Sequence, residues 1–193
     1  MTTGTIIPRL SLLLAVLLPG AAMAEWDLEQ LMSALRARPH VRAEFVETKQ
    51  LAVLQSALEV RGMLEFRAPD YLKRSQLTPR REEFEVEGGV VTIRRPGQTP
   101  QRVALAEHPP LAAFIESMRA TLAGDLAKLE AHYRTKLSGA AHGWRLQLYP
   151  RSGQLASYIE SIALHGAHGK LERIETIEVS GDRSVTEVRS LRE

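Results

Sequence analysis

A regular alternation of apolar and charged residues is the feature that most constrains the fold. It is clearest over residues 58–67, where Leu58, Val60, Leu64 and Phe66 share one side and mostly charged residues occupy the other. Successive side chains of a β-strand point to opposite faces, so this segment predicts a strand with one apolar and one solvated face. Sheets that leave one face in water are antiparallel, because parallel sheets are covered on both faces.

Similar extended segments recur along the chain and predict a large antiparallel sheet. Gly88-Gly89 joins two of them and is typical of a hairpin with a primed turn. The predicted strands lie at residues 41–50, 58–67, 71–78, 84–86, 90–94, 102–106, 144–149, 158–164, 171–179 and 184–191. We therefore expect about 9–11 strands and, because there is no βαβ pattern, no parallel sheet.

Helical periodicity interrupts the strands at two places. A short amphipathic helix begins after Asp27, its predicted N-cap, and ends before Pro39. A longer apolar stripe recurs at helical spacing in the middle of the chain and ends at Gly124. The stripe consists of Leu111, Phe114, Ile115, Met118 and Leu122. A second, shorter stripe of Leu126, Leu129 and Tyr133 predicts a further helix behind it.

These elements predict a mainly β (α+β) domain in which an unclosed antiparallel half-barrel carries a helical lid over an apolar cavity. A long sheet with one apolar face must curl or be covered, and the middle helices are the natural cover. The predicted cavity wall consists of Leu58, Val60, Leu64, Phe66, Trp144, Leu146 and Leu148, and the lid of the stripe Leu111 to Leu122. The same residues are equally compatible with a solid core, because burial of a methylene group contributes about 0.8 kcal/mol in either arrangement.

Charge and chemical motifs exclude several function classes. The 25 Lys and Arg residues against 23 Asp and Glu leave a net charge of +2, too small to indicate a nucleic-acid partner. The chain has no cysteine, and it lacks the common nucleophile, phosphate-loop and zinc-protease motifs. His165 and His168 are three residues apart without a carboxylate at ligand spacing. We therefore expect no enzymatic activity, no metal and no cofactor.

The N-terminal segment predicts export. Arg9 precedes an apolar run, Leu10 to Leu18, and Ala22-Met23-Ala24 has the small-residue pattern of a cleavage site. The run has about half of the roughly 20 residues that a membrane span needs. We expect residues 1–24 to be a cleaved signal peptide and residues 25–193 to form one periplasmic domain. A domain of this size buries enough surface to be stable without disulfides, and we expect a monomer.

Short motifs in a consistent order give the mature chain a resemblance to LolA-type periplasmic lipoprotein carriers, closest to a divergent branch of that family. The motifs cover nearly the whole mature chain and are FVETK (45–49), GMLEFRAP (62–69), VEGGVVTI (86–93), LAGD (122–125), WRLQLYP (144–150) and GDRS (181–184). The resemblance implies an open β-barrel with a lid and a cavity for acyl chains. It also implies an inner-membrane transporter that supplies the acylated cargo, an outer-membrane acceptor that receives it, and no catalysed reaction.

One position departs from the family pattern. In the family, an arginine directly before the strand-ending proline is associated with holding the lid closed. Here Ala68 precedes Pro69, and Arg67 lies one residue earlier. A shift of one residue turns a strand side chain to the other face. Arg67 therefore acts as a latch only if a bulge restores it to the interior, and otherwise the lid is held differently.

Three functions stay open on sequence alone. The first is a carrier of lipoproteins, and the second is a carrier of a non-protein acylated lipid, such as a glycolipid or polyene lipid, that works with a lipid exporter. The third is an envelope-stress module that senses a lipid or a peptide. A neighbouring acyltransferase and exporter in the genome would favour the second.

Overall fold

The computed structural model describes residues 26–53, 56–151 and 153–191, which form one 11-stranded antiparallel sheet and the helices that pack on it. The strands are β1 His40–Gln50, β2 Leu58–Arg67, β3 Tyr71–Thr78, β4 Glu82–Glu87, β5 Val90–Arg94, β6 Gln101–Ala104, β7 Tyr133–Ala140, β8 Gly143–Pro150, β9 Ile159–Ala167, β10 Lys170–Glu178 and β11 Arg183–Ser190. The helices are α1 Leu28–Arg36, α2 Pro109–Leu122, α3 Leu126–His132 and the short α4 Gly153–Ala156, with one 3-10 turn at Leu105–Glu107.

The spatial order of the strands is β6-β5-β4-β3-β2-β1-β11-β10-β9-β8-β7, so the chain's last strand pairs with its first strand and β6 and β7 form the two edges. These edge strands do not pair with each other, and the sheet is therefore not closed into a barrel. The predicted mainly β class with an unclosed antiparallel sheet is confirmed.

Local sequence signals place the element boundaries where they were expected. The Asp27 carboxylate accepts a hydrogen bond from the Gln30 backbone N–H at 2.8 Å, and the Gln30 side chain accepts one from the Asp27 N–H, which is a capping box at the start of α1. Gly88 and Gly89 both have positive φ angles, +54° and +78°, as a primed hairpin turn requires. Gly124, with φ +65°, ends the α2 region.

Strand β7 was not predicted from the sequence. We assigned Tyr133 to a helical stripe with Leu126 and Leu129, but α3 ends at His132 and Tyr133 is the first residue of the strand. Tyr133 is fully buried beside Leu129, so it does continue the apolar surface of α3. Leu126, Leu129 and Tyr133 are spaced by three and four residues, as they would be along one longer helix. The apolar surface continues from the end of α3 into the start of β7, which explains why the sequence predicts a helix there.

Two strand glycines each lie beneath an aromatic ring of the neighbouring strand. Gly62 in β2 pairs with Phe45 in β1, and Gly166 in β9 pairs with Trp144 in β8. In each pair the aromatic ring lies over the glycine, with a ring carbon 2.8 Å and 2.5 Å, respectively, from where a Cβ would stand. A glycine covered by an aromatic residue on the next strand is a known way to bend a sheet while its surface stays filled.

The interior contains two apolar clusters that differ in size and in the elements that they join. The larger one fills the space between β7–β9, α1 and α3, and its members include Leu31, Leu129, Tyr133, Trp144, Leu146, Leu148, Ile162 and Leu164. The smaller one joins β4 and β5 to α2 through Val86, Val91, Leu105 and Ile115. Phe114 contacts both clusters, so α2 crosses from one half of the sheet to the other.

His165 lies in β9, and its imidazole is more than two-thirds buried. Burial lowers its pKa, and the nearby Arg145 and Arg173 add to this, while Glu175, whose Oε1 lies 3.6 Å from Nε2, and Glu187 oppose it. A lowered pKa means that the folded state binds the proton less tightly than the unfolded state. We therefore expect stability to fall as the pH drops below about 6.5, the ordinary histidine pKa.

That expectation is tested by urea unfolding of the wild type and of His165→Gln between about pH 7.5 and pH 5.5, the range that spans the ordinary histidine pKa. The wild type should lose more stability than the variant over this range. Equal losses in the two proteins would assign the pH dependence to other groups.

No helix in the described part of the chain combines the length and apolar character needed to cross a membrane. The segment that we predict to be a signal peptide, residues 1–24, lies outside the described residues.

Candidate functional site

An apolar cavity of about 340 Å³ lies between α2 and the concave face of the sheet. Its wall is formed by side chains of β1–β5, β10 and β11 and by the end of α1. The apolar wall residues are Leu35, Val41, Ala43, Leu64, Phe66, Leu72, Phe84, Val86, Val91, Ile93, Leu171, Ile174 and Val188, with Leu111, Phe114, Ile115, Met118 and Leu122 on α2. Small-molecule sites of roughly 300–1,000 Å³ are commonly of this kind, concave and mostly apolar.

All five residues of the predicted lid line the cavity from α2. The helix repeats its apolar residues at spacings of three and four, so they form one face that points at the sheet. The C-terminal end of the lid is attached to α1, because Arg36 Nη2 donates to the Gly124 carbonyl oxygen at 2.5 Å. A side chain at position 124 would overlap the Met32 carbonyl oxygen, so the close approach of the two elements requires glycine there.

The predicted wall residues of β2 divide into two groups. Leu64 and Phe66 line the cavity, whereas Leu58 and Val60 do not. Leu58 is exposed at the start of the strand, and Val60 is buried opposite Glu47 of β1, beyond the end of the cavity. The apolar alternation therefore runs along the whole of β2, whereas only the second half of this strand lines the cavity.

Trp144, Leu146 and Leu148, which the sequence predicts to line the cavity, lie outside its wall in the structure. All three face the concave side of the sheet, but they lie in the large packed cluster with α1 and α3 and are at most 2% exposed. The cavity wall does not include them. Helix α1 contributes Leu31 and Met32 to the same cluster, and these side chains fill the space that a ligand would need.

Arg67 points away from the cavity. Its guanidinium lies over the Tyr71 ring, 3.7 Å from the ring centroid, and its Nε is 3.6 Å from Glu65 Oε1. The pairing of β2 with β1 and β3 is regular from Gly62 to Arg67, so no bulge turns this side chain inward. The structure places Arg67 on the outer face, where it does not reach the lid.

Arg74 is a cavity residue that sequence analysis missed. Along one row of the sheet, Ala43, Leu64, Arg74, Phe84 and Ile93 are direct neighbours on successive strands from β1 to β5. All five line the cavity, and Arg74 is the one charged member of the row. The sequence predicts a strand at 71–78, and the signal available there is that Leu72, Arg74 and Gln76 share one side.

The Arg74 guanidinium is anchored at the end of the cavity. Its Nη2 donates to Glu47 Oε2 at 2.7 Å, and its Nη1 donates to Gln76 Oε1 at 3.3 Å. It also lies over the Phe45 ring, 4.6 Å from the ring centroid, in cation–π geometry. The side chains of Arg74 and Glu47 are 28% and 12% exposed, so the pair is largely but not fully removed from solvent.

Two further cations line the cavity near the end of α1. Arg38 is half-buried and Lys170 is exposed, and both belong to the wall. Among the described residues neither has an ion-pair partner. Lys73 and Glu65 also line the cavity, and each is paired, with Glu83 and Arg67 respectively. The wall is therefore mainly apolar, and its cations outnumber its carboxylates.

Solved structures of low sequence identity resemble the chain. The LolA superfamily protein NE2245 from Nitrosomonas europaea is 10% identical over 86% of this chain and 94% of that chain, with a TM-score of 0.44. A putative outer membrane lipoprotein-sorting protein domain from Vibrio parahaemolyticus is 11% identical over 86% and 94%, with a TM-score of 0.42. The Pseudomonas aeruginosa MucA/MucB complex contains a chain that is 13% identical over 86% and 58%, with a TM-score of 0.44. Because these TM-scores lie below 0.5, the likenesses carry no argument about function.

No curated protein sequence matches the chain significantly. A family model, however, covers almost all of it. The model of the family described as outer membrane lipoprotein carrier protein LolA-like matches residues 20–190, a span that includes every strand of the sheet, the lid helix and all residues of the cavity wall. The chain belongs to this LolA-like family.

Proposed function

We propose that the protein is a periplasmic carrier that shields the acyl chains of a lipidated cargo between the inner and the outer membrane. The observation that carries the proposal is the cavity of about 340 Å³ between α2 and the sheet, lined along its length by aliphatic and aromatic side chains. Membership of the LolA-like family supports the same function. The predicted signal peptide at residues 1–24 supports the location.

The energetics suit transport of an acyl chain. Each buried methylene group contributes about 0.8 kcal/mol, so a few carbons suffice for binding, and many would make release slow. A carrier must therefore offset part of this gain, and separation of α2 from the sheet provides such a cost. An inner-membrane transporter would supply the cargo and an outer-membrane acceptor would take it; neither step needs catalysis, a metal or a cofactor.

Native mass spectrometry of the mature protein, purified from the periplasm without detergent, tests the proposal. We expect co-purifying acyl species of defined mass, and lipid extraction would then distinguish a lipoprotein from a glycolipid or polyene lipid. An empty protein that also fails to bind a fluorescent acyl probe would contradict the carrier function and would favour the sensing alternative.

Met118→Glu should block the cavity. Met118 lines it from α2 and is half-buried, so the variant places a carboxylate where the acyl chain lies. Exclusion of only two methylene groups would cost about 1.6 kcal/mol, more than tenfold in affinity. Titration with a fluorescent acyl probe measures the loss. Leu77→Glu is the matched control, because Leu77 is 49% exposed and lies outside the cavity wall; its affinity should equal that of the wild type.

A further inference from the structure

The placement of Arg74 identifies a chemical property of the cargo. An arginine in the middle of an apolar row is costly, since removal of a guanidinium from water is compensated only by good hydrogen bonds and an opposite charge. Arg74 has one such partner, Glu47, and its side chain remains 28% exposed. An acyl chain that fills the cavity would displace the water around this exposed part.

The guanidinium retains hydrogen-bonding capacity after its contacts within the protein are counted. An arginine side chain carries five N–H donors in a planar fork. The bonds to Glu47 and Gln76 use one donor on each terminal nitrogen. The remaining donors, held in position by the Phe45 ring beneath the guanidinium, suit a bidentate oxygen ligand such as a carboxylate or a phosphate.

The charge around Arg74 also favours an anion. Glu47 is shared, because Lys49 Nζ lies 3.6 Å from its Oε1 while Arg74 contacts Oε2. This group of three side chains therefore has one positive charge in excess. The cavity wall also includes Lys73, which pairs with Glu83, and one carboxylate, Glu65, which pairs with Arg67. Arg38 and Lys170 add two further cations to the wall, and among the described residues no carboxylate pairs with either.

We propose that the cargo carries an anionic oxygen group, a carboxylate or a phosphate, that Arg74 binds inside the cavity while the acyl chain occupies the apolar wall. This inference rests on the proposed carrier function and adds to it the chemical class of the polar end of the cargo. Arg74 is thus a specificity-determining residue. Glu47 holds the guanidinium in place and competes with the ligand for it.

A fluorescent long-chain fatty acid and its methyl ester test the inference, because they share the acyl chain and differ only in the charged end. The wild type should bind the acid at least about tenfold more tightly, the effect of one charge-assisted hydrogen bond. Arg74→Gln should remove this preference by weakening binding of the acid about tenfold, with the methyl ester unaffected. Displacement of the probe by an alkyl phosphate and by an unlabelled fatty acid of equal chain length then shows which of the two anions is preferred.

Glu47→Gln provides the second variant. It removes the competing carboxylate and keeps an oxygen that accepts from Arg74, so binding of the acid should strengthen several-fold. If the pair serves only to maintain the fold, this variant should instead bind both probes more weakly. Thermal unfolding of each variant establishes that the protein is folded under the conditions of the titration.

The two proposals fail in different ways. If neither probe binds the wild type, the carrier function fails. If acid and ester bind equally well, or if Arg74→Gln weakens both to the same extent, the carrier function stands and the anionic cargo is ruled out.

Discussion

Replacement of Gly62 by alanine should destabilise the protein by about 3 kcal/mol or more, the upper part of the range for overpacked sites. A Cβ at this position would overlap the Ser75 carbonyl oxygen and lie 2.8 Å from Phe45 Cε1. The Ser75 oxygen belongs to the backbone of β3, which pairs with β2 here, so it cannot move without disturbing the sheet. The Phe45 ring is fully buried and has little room to shift.

Urea unfolding of Gly62→Ala measures this effect. Gly143→Ala is the matched control, because Gly143 also lies in a strand and a Cβ there has no atom within 4 Å. The control should change stability by no more than about 0.5 kcal/mol, as substitutions at open surface positions do. Similar stability of the two variants would show that β3 adjusts to the added methyl group and that the sheet is not closely packed at Gly62.

Leu146→Ala should reduce stability by about 3–5 kcal/mol and leave acyl-probe affinity unchanged. Leu146 is fully buried in the large cluster, and truncation of such a residue removes apolar contacts and leaves a void. Leu64→Ala makes the matched comparison, because Leu64 is only half-buried and faces the cavity. That variant should lose less stability and should alter probe binding, since it removes part of the wall that the chain contacts.

Chemical unfolding and probe titration of both leucine variants provide the two measurements. If Leu146→Ala lost much of its probe affinity while its fold stayed intact, β8 would be part of the binding site. Equal stability losses in the two variants would contradict the division between packed core and cavity wall.

The periodicity of the sequence was sufficient to predict the sheet and the lid. Alternation in strands such as β2 and helical spacing from Leu111 to Leu122 depend on local geometry, which neighbouring residues determine. The signals for turns and caps at Gly88-Gly89 and Asp27 are local for the same reason. These elements were therefore accessible without knowledge of the tertiary structure.

The division of the apolar face into core and cavity was not accessible in this way. Alternation identifies the side of β8 that avoids water. It does not show whether that side packs against a helix or lines a cavity. Leu31 and Met32 of α1 belong to the same packed cluster as Trp144 and Leu146, and α1 is more than one hundred residues away in sequence. Arg74 was missed for a related reason: a charged residue in a strand ordinarily faces water, and only the positions of Glu47 and Phe45 explain why this one faces inward.

The unequal filling of the two halves of the sheet has a mechanical consequence. Strands β7–β9 are bound to α1 and α3 by close-packed side chains, and tightly packed interiors resist compression and shear. Strands β3–β5 line the cavity, and beyond them the sheet ends in the four-residue edge strand β6. Movement of β3–β6 disrupts fewer contacts than movement of β7–β9. A bulkier ligand should therefore be accommodated by outward movement of β3–β6, while β7–β9 keep their positions.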